Sequence, residues 1–168
     1  MNKFFLLTLF LFISQKIFSQ EINKTITVES LNKEILIGLC DKKGLEKINF
    51  KNDYILSQKE IRILSKINRK YANKNIEFIV FIGSWCSDTQ LHLPVFLTFY
   101  EKLKTDKKLK MLALDLKKQS PENEEVEYQI THVPTFIVLY NGNEIGRIIE
   151  SPKKGILEDI LKIFKQIQ

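Results

Sequence analysis

The chain has 168 residues, with 26 Lys and Arg against 20 Asp and Glu, a net charge of +6 at neutral pH, and two cysteines. That length suits one domain with a sizeable core. The lysine excess is interspersed with acids, as between Glu101 and Lys110, which is the pattern of a solvated face and argues against nucleic-acid binding.

In chain order, Asn2-Lys3 gives a short basic start and Phe4 to Ile13 is an almost unbroken apolar run. Residues 14–19 turn polar and end in a small residue. This reads as a secretory signal peptide cut after Ser19, too short for a membrane span and without a stop-transfer pattern. An uncleaved anchor is the alternative. The expectation is an exported chain, periplasmic or secreted, with no integral span after cleavage. Cleavage removes Lys3 and Lys16 and no acid, lowering the net charge from +6 to +4.

Residues 20–56 read as an N-terminal extension packed against the main domain, and residues 57–168 as that domain. Within the extension Lys24 to Val28 alternates weakly, Glu34 to Ile37 suits a short strand or a helical turn, and Asp41-Lys42-Lys43-Gly44 looks like a turn. Ser57 and Glu60 form a capping box for a helix over about 58–72, with Ile61, Leu64, Ile67 and Tyr71 on its apolar side. Ile76 to Gly83 is apolar enough for a central strand. A helix from Ser87 to about Leu103 contains Pro94, which predicts a bend. Leu109 to Leu116 reads as a strand, and Pro121 to Tyr128 as a short helix. Thr135 to Tyr140 and Glu144 to Ile149 form a hairpin about Asn141-Gly142. Ser151-Pro152 predicts the start of a last helix, whose buried face carries Leu157, Ile160, Leu161 and Phe164. The resulting order is an α/β arrangement with a mixed sheet.

Cys86 falls where a strand ends and a helix begins. Unpaired backbone N–H groups and the positive end of the helix dipole meet there, which favours thiolate over thiol. Three residues on, where a dithiol site carries its second cysteine, stands Thr89. Asp88 helps the dipole but opposes a thiolate, and Thr89 is placed to donate a hydrogen bond that offsets this.

The combination of Trp85-Cys86 after an apolar strand, Pro94 eight residues later, Val133-Pro134-Thr135 before another strand, and the closing hairpin and helix resembles the thioredoxin superfamily over residues 57–168. The resemblance implies a three-layer thioredoxin-like fold with a central mixed sheet flanked by helices. It implies that Cys86 is the attacking thiol, with Trp85, Asp88 and Thr89 around it. It also implies a cis Pro134, with Val133 and His132 presented to an extended peptide or mixed-disulfide partner. Two departures agree with each other. Thr89 replaces the resolving cysteine, and Val80 stands where the family often has the buried acid that serves it.

The expected function is monothiol thiol–disulfide exchange through Cys86 with exported protein thiols or disulfides, or with a small thiol, and with no cofactor. The alternative is a non-catalytic thioredoxin-fold module that binds an extended peptide. A thiol peroxidase is a weaker third reading, because the arginine and threonine pattern of such enzymes is missing. Cys40 is either a resolving or disulfide partner for Cys86 or a buried structural thiol, and sequence leaves this open. His92 reads as a surface or packing residue. The Cys, His and Asp residues near the site lack paired ligand spacing, so no metal is expected.

Overall fold

Val, Ile and Phe dominate Asn75–Ile82, which forms β3 at the centre of the sheet. The structure, a computed structural model, describes residues 21–167. The signal-like residues 1–19 lie outside the described residues. Alternate side chains of β3 serve two cores: Phe78, Val80 and Ile82 enter the larger one, Ile79 and Phe81 the smaller one on the opposite face. Each fully buried aliphatic or Phe side chain contributes about 1.5–3 kcal/mol, so burial on both faces makes β3 the anchor of the fold.

In chain order the elements are β1 (Lys24–Val28), a single 3-10 turn (Glu29–Leu31), β2 (Lys33–Cys40), α1 (Lys42–Lys47), α2 (Gln58–Tyr71), β3, α3 (Ser87–Lys102), β4 (Asp106–Ala113), α4 (Glu124–Glu127), β5 (Thr135–Tyr140), β6 (Asn143–Ile149) and α5 (Ile156–Phe164). They build a six-stranded mixed sheet in the order β1-β2-β4-β3-β5-β6. Only β3 and β4 run parallel, in register from Asn75 opposite Asp106 to Ile82 opposite Ala113. The other neighbours are antiparallel.

The larger core lies between the sheet and helices α2, α3 and α5. Phe78 meets Phe96 edge-on with ring centroids 5.3 Å apart, and Tyr71 meets Phe164 in the same way at 5.2 Å. Such pairs add about 0.5–1.5 kcal/mol beyond the area they bury.

The helix–strand order from α2 onward is that expected from the sequence, and the capping box at Ser57 and Glu60 is formed on both sides. The turn residues Asn141 and Gly142 take φ of 51° and 79°, the left-handed pair a tight hairpin needs. One local expectation is extended and three are corrected. The segment over residues 20–56 does more than pack on the domain: β1 and β2 extend its sheet, with Gly38 to Cys40 paired to Ala113 to Met111 of β4. Asp41-Lys42-Lys43-Gly44 is not a free turn but the start of α1, where the Asp41 carboxylate accepts the N–H groups of Lys43 and Gly44. β4 begins at Asp106 rather than Leu109 because its parallel pairing with β3 already starts at Asn75 opposite Asp106, with Lys108 3.8 Å from Glu77 of β3. It ends at Ala113, since the Asp115 carboxylate folds the chain back by accepting the N–H groups of Lys117 and Gln119. Finally, Ser151-Pro152 does not cap α5. The helix starts four residues later, after Gly155, and Asp159 reaches back to accept the Lys153 N–H.

Candidate functional site

The parallel strands β3 and β4 end together at Ile82 and Ala113, and the loop Gly83 to Trp85 carries the chain from there into α3. Cys86 is the N-cap of that sixteen-residue helix, with extended backbone at φ −84° and ψ 131°. Its N–H donates to the Gly83 carbonyl at 2.8 Å and its carbonyl accepts the Gln90 N–H at 3.1 Å. The thiol is half-buried, and Sγ–H donates to the Val133 carbonyl across 3.3 Å.

Val133 and Pro134 belong to the loop before β5, and the peptide bond between them is cis. Both residues are buried. The loop is held from both sides: Thr135 Oγ1 donates to the His132 carbonyl at 2.7 Å, and the Glu150 N–H donates to the Pro134 carbonyl at 2.7 Å. The structure thus brings Cys86 and Val133 into contact from sequence positions 47 apart.

Trp85 is fixed rather than free. Its Nε1–H donates to the Leu114 carbonyl at 3.0 Å, at the end of β4. Its ring lies over Gly83, where a Cβ would stand 2.9 Å from Cε2, so glycine is required for this close approach. Asp88 is half-buried in the first turn of α3, where its charge suits the helix dipole. Thr89 is fully buried, and its Oγ1 accepts the Gly83 N–H at 3.2 Å. This bond braces the loop that leads into Cys86.

His132 is exposed, with Nδ1 2.9 Å from Oγ1 of its neighbour Thr131. His92 is half-buried one turn beyond Asp88. Burial pushes it below the usual histidine range, against the opposing pull of Asp88.

Cys40 is elsewhere. It lies in the larger core, 4% exposed, while Cys86 packs against the smaller core on the other face of the sheet, and both thiols are free. Burial, reinforced by Asp41 and only partly offset by the Ala113 backbone, pushes the Cys40 thiol up to about 12. Val80 of β3 is fully buried in the larger core, and the position carries no carboxylate. Among the described residues no group of three or more His, Cys, Asp or Glu is placed to hold a metal ion, and no helix is long and apolar enough to cross a membrane.

Sequence reasoning missed Ser84. It is 5% exposed, and its Oγ accepts the Leu36 N–H at 3.0 Å. Nothing local marks this, because Leu36 lies 48 positions earlier.

The thioredoxin family model matches residues 63–163, well over half of the chain. The chain belongs to the thioredoxin family. The matched residues run from α2 into α5 and contain Trp85, Cys86, Val133 and Pro134. Among solved structures, a Pseudomonas aeruginosa protein of unknown function is similar at 16% identity and a TM-score of 0.52, covering 75% of this chain and 80% of its own. A reduced Schistosoma mansoni thioredoxin is 23% identical, with a TM-score of 0.41 over 62% of this chain and 90% of its own. No curated protein sequence matches the chain. Against the family's dithiol pattern, Thr89 is the departure that bears most directly on chemistry: the one thiol at this site is Cys86.

Proposed function

We propose that this is an exported thioredoxin-fold protein that carries out monothiol thiol–disulfide exchange through Cys86. The observation that carries the reading is the Cys86 sulfur, half-buried at the first turn of α3 and 3.3 Å from the Val133 carbonyl, with a threonine where a second thiol would stand. In the forward step the Cys86 thiolate attacks one sulfur of a partner disulfide. A new S–S bond forms to Cys86, the partner's S–S bond breaks, and the departing sulfur leaves as a thiolate that takes up a proton. An external thiol then attacks the mixed disulfide, forms its own bond to the partner sulfur and releases Cys86. Cys40 does not fit the second step, because it is buried on the far face of the sheet and held in the thiol form.

Export rests on the signal-like residues 1–19, and an oxidising compartment supplies the disulfides such a site needs. The reading is tested by incubating the mature wild-type protein with disulfide-bearing exported proteins and analysing the products without reductant. Because no second thiol resolves the intermediate, mixed disulfides are expected to accumulate on Cys86 and to disappear in Cys86→Ser. If no such adducts form, or if they persist in the variant, exchange through Cys86 is wrong.

A second reading has one observation in its favour. Thr89 Oγ1 is committed to the Gly83 backbone, so the site is braced structurally whether or not the thiol reacts. A module that only binds an extended peptide at Val133-Pro134 retains its affinity in Cys86→Ser, whereas the exchange reading predicts loss of covalent capture.

A further inference from the structure

We propose that the groove between the edge strand β6 and α5 binds an extended acidic peptide segment, which adds to the sheet as a further strand. Among the described residues β6 is the last strand of the sheet and pairs only with β5, so its outer edge is open. Between that edge and α5 runs a cavity of about 780 Å³, floored by Gly146, Ile148 and Leu161 and separate from Cys86. Its rim carries Lys153, Lys154, Lys162 and Lys165, all exposed. Among the described residues none of these four ammonium groups is in an ion pair.

The acids and the arginine of the same groove are already engaged. Glu158 pairs with Lys59, the Asp159 carboxylate accepts the Lys153 N–H, and Arg147 holds Glu144 through two nitrogens. The four unpaired lysines outnumber Asp159, the one lining acid without a cationic partner, so the groove presents net positive charge beside an open strand edge. An extended peptide matches both features, its backbone meeting the edge and its carboxylates meeting the lysines. A nucleic acid matches only the charge, because the lining contains no aromatic ring on which a base stacks. Ile149, 48% exposed at the end of β6, offers an apolar contact for an alternate side chain of the added strand.

The test uses a fluorescein-labelled peptide of alternating Glu and Val, followed by fluorescence anisotropy on the full mature chain. Saturable binding is expected, weakened about tenfold in the double variant Lys153→Glu and Lys162→Glu, whose fold is checked by circular dichroism. The same peptide with alternate backbone amides N-methylated keeps its charge but cannot pair with an edge, and is expected to lose binding. Cys86→Ser is expected to bind like wild type, so the outcome is independent of thiol exchange. No binding by the wild type, equal binding of the N-methylated peptide, or tighter binding of oligothymidylate than of the peptide each overturns the proposal.

Discussion

Ser84 and Leu36 are joined by a hydrogen bond in which the Leu36 N–H donates to the Ser84 hydroxyl at 3.0 Å, tying the loop before Cys86 to β2. The pairing of β2 with β4 begins only at Gly38, opposite Ala113, so Leu36 lies beyond the last β4 partner. Ser84 supplies the acceptor that a strand would otherwise provide. The loop is then held on three sides: by Ser84 to β2, by Trp85 to the end of β4, and by Thr89 to Gly83.

Removing that acceptor leaves a buried N–H unpaired, which costs about 1–3 kcal/mol. Ser84→Ala is therefore expected to lower the urea midpoint by a corresponding amount, with an unchanged denaturant slope. A variant as stable as wild type in urea titration would show that Leu36 finds another acceptor.

Thr89 sits one helical turn after Cys86, a spacing at which side chains are neighbours. Thr89→Cys is expected to give a pair able to close an internal disulfide, so that mixed disulfides on Cys86 no longer accumulate. The Gly83 N–H loses its oxygen acceptor at the same time, at a cost of about 1 kcal/mol in the reduced form. Non-reducing mass spectrometry reads the first effect and urea unfolding of the reduced protein the second.

Cys40 sets an alkaline limit. Its thiol is raised from an ordinary 9.0 to about 12 by burial, so the unfolded chain releases this proton before the folded one does. Stability from this group is fully present below about pH 9 and is lost as pH rises toward about 12. Cys40→Ala is expected to be less stable at neutral pH, because it leaves a small cavity, but to show a flatter decline of the urea midpoint above pH 9. In the native wild type, iodoacetamide is expected to modify Cys86 and spare Cys40, and in urea to modify both.

At the start of α2 the Ser57 hydroxyl accepts the Glu60 N–H, and the Glu60 carboxylate accepts the Ser57 N–H at 2.7 Å. Partial burial works to raise Glu60, but the bonds from Ser57 and Tyr54 outweigh it and hold this carboxyl below its ordinary 4.5. A depressed acid contributes stability above its unfolded value, lost as pH falls through the folded one. Ser57→Ala is expected to cost about 1 kcal/mol near neutral pH, and less in acid once the depressed Glu60 carboxyl is protonated, as measured by thermal unfolding. An equal cost at both pH values would mean that the Glu60 carboxylate takes no part in the cap.

The elements legible in the sequence are those whose signals are local. The capping box names the start of α2, Asn141-Gly142 names the hairpin, and the apolar run into Trp85-Cys86 names the central strand and the helix that receives it. The sequence also located the departure from the family pattern, because no second cysteine stands three residues after Cys86 and Val80 carries no carboxylate, whatever the fold. The remainder depends on long-range packing. β1 and β2 carry weak alternation, since their pairing is decided by the edge β4 offers them and not by their own pattern. Pro152 looked like a helix start, yet the loop after β6 needs four more residues before α5 can begin. The separation of Cys40 from Cys86 was equally invisible, because which face of a sheet a cysteine enters depends on register. Ser84 holds Leu36, and Cys86 holds Val133, because the sheet brings distant segments to one end. Such contacts are set by packing across the fold and leave no trace in the spacing of neighbouring residues.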